Sequence, residues 1–218
     1  MKRLRICTVI TDKDVPSIRR AAELADLFEV RIDMIGAGWN EIVPELHKPW
    51  IAANRSVNEH GKWDGGEEGR IKELLSAAGL GAALIDIELN AEGLKDIVPQ
   101  IKKKKVGCLI SYHDWQGTPS TDELAAIARR QIKAGADICK LVTTAVKIED
   151  NIPVLEVIRM FPSARIVSFA MGAEGRLSRV LSPRAGSYFT YASTGSGKES
   201  APGQVPAEVM RRLLGLVR

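Results

Sequence analysis

The sequence has few cysteines, few aromatic residues and no long apolar run. Among its 218 residues, the only cysteines are Cys7, Cys108 and Cys139, and each lies in a separate apolar segment. This odd number and spacing fit neither a disulfide framework nor a zinc site, so we expect buried, reduced thiols. No apolar stretch approaches the roughly 20 residues of a membrane helix, and the first residues lack the apolar core of a signal peptide. We therefore expect a cytoplasmic protein with no membrane partner.

Charge of either sign is also not in large excess. The 31 Lys and Arg residues against 27 Asp and Glu residues give a net charge of +4. The one dense basic run, residues 102–105, ends an amphipathic stretch, where cations complement the negative end of a helix dipole. No aromatic residue lies within this run, so a surface that stacks nucleic-acid bases is not indicated. We expect no nucleic-acid partner, and the 45% of hydrophobic residues predicts a folded chain rather than a disordered one.

Short apolar, β-branched runs alternate with amphipathic stretches along the whole chain. The runs are typical of strands buried on both faces, and they lie at 4–11, 28–35, 50–56, 83–90, 106–113, 138–145, 165–171 and 187–193. Apolar residues at three- and four-residue spacing predict helices at 15–24, 67–78, 94–104, 122–134, 152–161 and 207–217, with shorter ones at 40–46 and 175–181. Strict alternation of strand and helix predicts a parallel sheet with right-handed crossovers.

Eight strand–helix repeats of about 27 residues match a closed (β/α)₈ TIM barrel of small size. No linker or change in composition divides the chain, so we expect one catalytic barrel domain over residues 1–218. A doubly wound open sheet is the alternative, but the first strand-to-helix turn, 11–14, has no glycine fingerprint. The segment 194–199 is similar to a phosphate-binding loop, yet Ala192 stands where the first glycine is required and Glu199 follows the lysine.

Charged side chains interrupt five of the predicted strands, where an unpaired charge is costly. In the second strand Glu29, Arg31 and Asp33 share one face, because alternate strand residues point the same way. The next four strands contribute Arg55, Asp86, Glu88, His113 and Lys140. For any one of these residues a structural ion pair is the alternative. Inward residues at the carboxyl ends of barrel strands line the active site, so the set predicts one pocket of ionisable groups.

Lys140 and His113 are the strongest candidates for chemistry. Burial of Lys140 between apolar residues, near Arg31 and Arg55, disfavours its charged form and leaves a neutral amine. Covalent catalysis on a ketone or aldehyde requires such an amine. His113 is the only histidine at a predicted strand end, and imidazole transfers protons near neutral pH. These residues predict a Schiff-base-forming barrel enzyme that acts on an anionic, hydroxylated carbonyl compound.

Seven motifs follow one another between the second strand and about residue 206. They are Glu-Val-Arg-Ile-Asp at 29–33, Arg55 with Glu59, Asp-Ile-Glu at 86–88, Ser-Tyr-His-Asp at 111–114 with Thr118-Pro119, Gly-Ala-Asp-Ile-Cys-Lys at 135–140, Met171-Gly172 with Gly175 and Ser178-Arg179, and Ser-Ala-Pro-Gly-Gln at 200–204. In this order they resemble the type I 3-dehydroquinate dehydratases, Schiff-base enzymes of the shikimate pathway. His60 and Ser56 depart from the glycine and threonine common in that family, and neither position is assigned to chemistry.

The resemblance implies reversible, syn-type dehydration of 3-dehydroquinate to 3-dehydroshikimate, with no metal and no organic cofactor. Lys140 would form the Schiff base, His113 would move protons and Glu59 would orient His113. Asp86 would tune the pair of His113 and Lys140, and Met171 would pack against the substrate ring. The implied substrate-binding residues are Glu29, Arg31, Arg55, Arg179, Ser200 and Gln204.

The resemblance also implies a homodimer. As a departure from longer relatives of the family, we expect a barrel without the N-terminal hairpin that covers the barrel bottom. We expect the Gly- and Ser-rich loop 194–204 to be mobile without ligand. Two alternatives remain open. A class I aldolase or transaldolase is also a Schiff-base barrel, but it needs a phosphate site after strands seven and eight. A non-catalytic barrel that binds an anionic metabolite or RNA has no use for a buried Lys140 beside His113.

Overall fold

The computed structural model describes residues 4–217. Eight strands alternate with helices along these residues. The strands are β1 Ile6–Ile10, β2 Leu27–Arg31, β3 Trp50–Ala53, β4 Leu84–Glu88, β5 Gly107–His113, β6 Ile138–Thr144, β7 Ile166–Met171 and β8 Thr190–Ser193. The α-helices are α1 Val15–Ala22, α2 Ile32–Ile35, α3 Glu67–Gly79, α4 Leu94–Lys103, α5 Thr121–Lys133, α6 Asn151–Met160, α7 Arg176–Ala185 and α8 Ala207–Leu216.

All strand pairs are parallel, and each strand from β1 to β6 pairs with the next one in the chain. β8 pairs with β1, which brings β7 and β8 to the two ends of the hydrogen-bonded order. At this seam, Tyr188 N donates a hydrogen bond of 2.7 Å to Ile166 O. The strands thus form a nearly closed (β/α)₈ barrel, and the predicted TIM-barrel fold is confirmed.

Alternate residues of each strand pack on opposite sides of the barrel wall. Phe28, Ile85 and Ile110 point outward and pack in a cluster with helix residues such as Leu74 and Ile101. The inward residues form a separate cluster, with Cys7, Leu27, Ile51, Leu109, Ile138, Val167 and Phe189 among its members. The three cysteines are buried and free, as expected. Within the described residues, no helix is both long and apolar enough to cross a membrane.

The second strand is shorter than the pattern predicts, and the prediction of strand at 32–35 is wrong. β2 ends at Arg31, and Ile32–Ile35 form one turn of helix that ends at Gly36, whose φ is 76°. The cause is local pairing, because the Asp33 carboxylate accepts two hydrogen bonds from Arg31, of 2.9 and 2.7 Å. It also accepts a third bond, of 3.1 Å, from Lys62 N. These bonds fold the chain back at the end of the strand and turn Asp33 away from a strand position.

Two further boundaries differ from the sequence prediction. β3 ends at Ala53, so Arg55 lies two residues beyond the strand rather than inside it. The predicted helix at 40–46 is a 3₁₀ helix, Trp39–Glu45, which contains Pro44 and so lacks one backbone donor. The other crossovers agree with the pattern within a few residues. α5 begins with a capping box, in which Ser120 and Glu123 exchange hydrogen bonds.

Candidate active site

A pocket opens at the carboxyl ends of the strands and contains most of the residues singled out from the sequence. Those lining it are Glu29, Arg31, Arg55, Glu59, His113, Lys140, Met171, Arg179, Ser200 and Gln204. Asp86 is fully buried beside the pocket, where it contacts Lys140 and Arg55. The topology explains this convergence, because parallel strands in a barrel end at the same rim.

Strand alternation places the two candidate catalytic residues. On β5, Leu109, Ser111 and His113 follow one another at period two, and Ser111 Oγ donates a 2.7 Å hydrogen bond to Asp86. On β6, Lys140 lies between Ile138 and Val142, both members of the inward cluster. The strand directions therefore aim His113 and Lys140 into the barrel at its carboxyl end, as predicted.

Lys140 is held between two carboxylates rather than left as a free amine. Its Nζ lies 3.2 Å from Glu29 Oε2 and 3.0 Å from Asp86 Oδ2, and the residue is 5% exposed. Charge-assisted hydrogen bonds of this kind stabilise an ammonium group. The prediction of a neutral amine, made from burial near Arg31 and Arg55, did not include these two carboxylates, and it stays a prediction. Lys140 has to leave them as a neutral amine before it can act as a nucleophile.

The ion pairs extend from Lys140 through Asp86 to two arginines. Arg55 pairs with Asp86, and its Nη1 lies 2.6 Å from Glu88 Oε1. Arg70, which the sequence analysis missed, reaches the other oxygen of Glu88 at 2.8 Å. Burial alone would raise the pKa of Asp86, but the Arg55 and Lys140 cations hold that pKa below its ordinary value. Asp86 is therefore favoured as an anion in contact with Lys140.

His113 is buried and is held in its neutral form. Burial, then the nearby cations of Arg55 and Lys140, lower the pKa of His113 well below its ordinary value. Its Nδ1 has no hydrogen-bond partner within residues 4–217 and lies 4.0 Å from Glu59 Oε2. Burial and the Glu88 carboxylate raise the pKa of Glu59. A neutral imidazole beside a carboxylate has the properties of a general base.

Arg179 differs from the other cations of the pocket. Arg31 pairs with Asp33, whereas no carboxylate pairs with Arg179 in the part of the chain that the structure describes. Its guanidinium lies over the Phe169 ring and donates one hydrogen bond, of 3.1 Å, to Pro202 O. Burial lowers the pKa of Arg179 to about 9. A buried cation without a counter-ion, in a pocket, is a site for an anionic ligand group.

The loop after β8 brings Ser200 and Gln204 to the pocket. Gln204 Oε1 accepts hydrogen bonds from Ser200 N at 2.8 Å and from Ser200 Oγ at 3.2 Å. Gly203 allows the loop to approach the β7 end, because a Cβ there would lie 2.1 Å from Gly172 O and because its φ is 75°. Lys198 ties the same loop to the turn after β1 through contacts of 2.9 Å to Asp12 and 2.6 Å to Asp14.

Three aromatic residues of the pocket, Tyr191, Trp115 and Phe169, were not singled out from the sequence. Tyr191 on β8 donates a 2.7 Å hydrogen bond to Glu29 Oε2. Trp115 lies between His60 and His113, with ring centroids at 4.4 and 6.1 Å. The period-two pattern of β8, which points Phe189 and Tyr191 inward, is the signal that would have found Tyr191. Met171 is 2% exposed and belongs to the same inward cluster.

No group of three or more His, Cys, Asp or Glu side chains is arranged as a metal site in residues 4–217. Comparison with known proteins decides the family. The model of the family described as type I 3-dehydroquinase matches residues 6–218. The chain belongs to this family. Its activity is the dehydration of 3-dehydroquinate, a carbon–oxygen lyase reaction of the shikimate pathway.

Individual relatives agree with this assignment. The chain is 40% identical over 205 residues to a 3-dehydroquinate dehydratase of Dehalococcoides mccartyi strain BAV1. The aligned residues cover 94% of this chain and 92% of the relative. It is 34% identical to the Methanosarcina mazei strain Goe1 enzyme, over 100% of this chain and 96% of the relative. A crystal structure of the type I enzyme from Clostridium difficile with covalently modified comenic acid has a TM-score of 0.86 and 27% identity, covering 100% of this chain and 93% of that one. The aldolase and non-catalytic alternatives lose their support.

Proposed function

We propose that the pocket dehydrates 3-dehydroquinate through a covalent imine on Lys140. The observation that carries this proposal is the position of Lys140: it is the lysine that lines the pocket, 5% exposed, next to the neutral His113. Once Lys140 has lost a proton, its Nζ attacks the C3 carbonyl of the substrate. Loss of water from that adduct leaves a positively charged iminium, which acidifies the hydrogens on C2.

His113 carries the proton in the next two steps. As a neutral imidazole it removes one C2 proton, and the C–H electron pair forms the enamine. The Glu59 carboxylate, 4.0 Å from Nδ1, stabilises the imidazolium that results. The enamine electrons then expel the C1 hydroxyl, to which His113 returns the proton, so that water leaves. Hydrolysis of the conjugated iminium releases 3-dehydroshikimate and restores Lys140.

Arg179 is the residue best suited to the substrate carboxylate. It is buried and has no carboxylate partner within residues 4–217, so a bound carboxylate supplies the missing counter-charge. Ser200 and Gln204 complete this end of the pocket from the β8 loop. We assign the ring hydroxyls and the ketone region to Glu29, Arg31 and Arg55, contact with the ring to Met171, and the tuning of Lys140 and His113 to Asp86.

Two variants test these roles. Lys140→Ala should abolish formation of the conjugated enone product, followed by its ultraviolet absorbance. His113→Ala should slow turnover by about 10²- to 10⁴-fold, the range for loss of a general acid–base group, while still accumulating a borohydride-trappable imine. Wild-type turnover by Lys140→Ala would contradict the covalent route, and full turnover by His113→Ala would remove His113 as the proton carrier.

We also propose that the enzyme is a cytoplasmic homodimer. The three buried free cysteines suit a reducing compartment. The family resemblance favours a dimer. The connection from β6 to α6 exposes Val146 and Ile148, the first turn of α6 exposes Ile152, and Val146 is 71% exposed. Sedimentation velocity should give the mass of a dimer for the wild-type protein and of a monomer for Val146→Glu with Ile152→Glu. A monomeric wild-type protein would contradict the proposal.

A further inference from the structure

Tyr191 lies directly against the charged pair that holds the proposed nucleophile. The residue is 3% exposed, and its ring packs at 5.7 Å from Phe169 and 5.3 Å from Phe189. Its hydroxyl donates a 2.7 Å hydrogen bond to Glu29 Oε2, the same oxygen that contacts Lys140 Nζ at 3.2 Å. The centre of its ring is 4.5 Å from that Nζ. Tyr191 thus contacts both members of the pair.

The need for such a residue follows from what Lys140 has to do. As Lys140 moves from the carboxylates to a substrate carbonyl, both carboxylates lose a hydrogen-bond donor. Asp86 keeps Arg55 and the 2.7 Å bond from Ser111. Glu29, 4% exposed, keeps the bond from Tyr191. A buried carboxylate without a donor is strongly destabilised, so the Tyr191 hydroxyl reduces the cost of releasing Lys140.

The hydroxyl is available as a donor throughout the reaction. Burial, then the Glu29 carboxylate, raise the pKa of Tyr191 well above its ordinary value, so the phenol stays protonated at working pH. The ring contributes separately, because the negative face of an aromatic ring attracts a cation within about 6 Å. Both the Lys140 ammonium and the iminium formed from it carry that charge.

We propose that Tyr191 is a positioning residue for imine formation, with its hydroxyl holding the Glu29 carboxylate while Lys140 departs and its ring facing the cationic nitrogen. This inference rests on the proposed function of Lys140. It predicts an effect on the rate of the covalent step rather than on binding of the substrate carboxylate, which takes place at Arg179.

Tyr191→Phe removes only the hydroxyl. Single-turnover trapping with borohydride and 3-dehydroquinate should be about ten- to a hundredfold slower, the value of a hydrogen bond to a charged group, with KM nearly unchanged. The pH profile of the trapping rate should also differ from that of the wild type, because Glu29 without Tyr191 interacts more strongly with Lys140. Tyr191→Leu also removes the ring and should slow trapping by about a further two- to fivefold.

Tyr188→Phe is the matched control. It deletes the same hydroxyl from a tyrosine whose ring lies over Arg5 and Arg165 instead of Lys140. This variant should trap at the wild-type rate and with the wild-type pH profile. A folded Tyr191→Phe protein that behaves as the control does would overturn the inference. If the proposed function were wrong, the result would be distinguishable, because the wild-type protein itself would give no adduct on Lys140.

A measurement on the unmodified chain covers the case in which Tyr191→Phe does not fold. The chain has three tyrosines, so ¹³C labelling at the ring Cζ gives three resolvable NMR signals. Reduction of the imine fixes Lys140 to the substrate and leaves Tyr191 as the donor to Glu29. The Tyr191 signal should shift in the direction of a stronger hydrogen bond. An unchanged signal would contradict the inference.

Discussion

The two halves of the barrel interior have opposite character although the same strands build both. On β2 and β6, Leu27 and Ile138 lie toward the N-terminal ends of the strands and belong to the apolar inward cluster. The next inward positions on these strands are Glu29 and Lys140, which are only 4% and 5% exposed. Two residues along a strand therefore separate a hydrocarbon interior from an equally buried set of charges.

This difference in polarity means that one half mainly stabilises the fold and the other half mainly provides reactive groups. Full burial of an apolar side chain stabilises the fold by about 1.5–3 kcal/mol, whereas each buried ion has a desolvation cost of several kcal/mol that its partners must offset. The N-terminal half thus supports the fold. The carboxyl half contains groups that can bind or react with a substrate. Within residues 4–217, Arg179 has no counter-ion there, and His113 Nδ1 has no hydrogen-bond partner.

The largest effect is expected from a charge deletion in the carboxyl half. Asp86→Asn leaves Arg55 and Lys140 each short of one carboxylate, so the free energy of unfolding should fall by about 3–5 kcal/mol, and kcat should fall with it. Ser111→Ala, which removes only the hydroxyl that donates to Asp86, should cost about 1 kcal/mol. Urea denaturation measures both. Equal stability of Asp86→Asn and wild type would mean that the charges are not coupled as described.

A cavity in the N-terminal half should have a purely structural effect. Leu109→Ala should lower the free energy of unfolding by about 2–5 kcal/mol, because the side chain is fully buried. The kcat of the folded fraction should stay within about twofold of wild type, since the change lies below the polar layer on β5. Denaturation and steady-state kinetics at low temperature check this. A large loss of kcat with little loss of stability would show that the two halves are not separate.

Lowering the pH should decrease the free energy of unfolding, because the carboxyl half buries the neutral imidazole of His113. The pKa of His113 is lower in the folded chain than its ordinary value near 6.5. Between these two pKa values the unfolded chain binds a proton that the folded chain does not, so stability falls as pH falls. From pH 7 to pH 5.5, the wild-type protein should lose up to about 1 kcal/mol more than His113→Asn. A parallel pH dependence of the two proteins would mean that His113 titrates normally.

The smallest effect is expected at the rim. Lys198→Ala frees the β8 loop from Asp12 and Asp14, where the ammonium lowers the pKa of Asp14 to about 2. Because these pairs are partly exposed, KM should rise by no more than about fivefold and kcat should not change. Lys13→Ala breaks an exposed pair with Glu41, which lies outside the pocket, and serves as the control. An unchanged KM in Lys198→Ala would show that this contact does not hold the loop.

Most of the fold and of the site follow from local sequence patterns. Alternation of strands and helices predicts the barrel, and period-two placement brings Glu29, His113 and Lys140 to its carboxyl end. The sequence pattern does not predict contacts between side chains that come from elements distant in the chain. In the sequence Arg70 is a helical residue three positions from Glu67, and only the packing of α3 on the barrel brings it to Glu88. In the same way, the pairing of β8 with β1 places Tyr191 near β2.

The surroundings of Lys140 show the same limit. Its apolar neighbours along β6 predict a desolvated amine, but the two carboxylates that hold it come from β2 and β4. A pattern in one strand cannot show which side chains face it across the barrel. The expected mobility of loop 194–204 without ligand stays a prediction, because a loop held by Lys198 can still open.

Catalysis by this enzyme is expected to depend on a covalent imine between Lys140 and the substrate. The most direct measurement is treatment of the enzyme with borohydride and 3-dehydroquinate, followed by peptide mapping by mass spectrometry. Borohydride alone and substrate alone should leave activity intact, whereas both together should inactivate the enzyme and add mass to the peptide that contains Lys140. Full activity after treatment with both, or an adduct on a different lysine, would contradict the account.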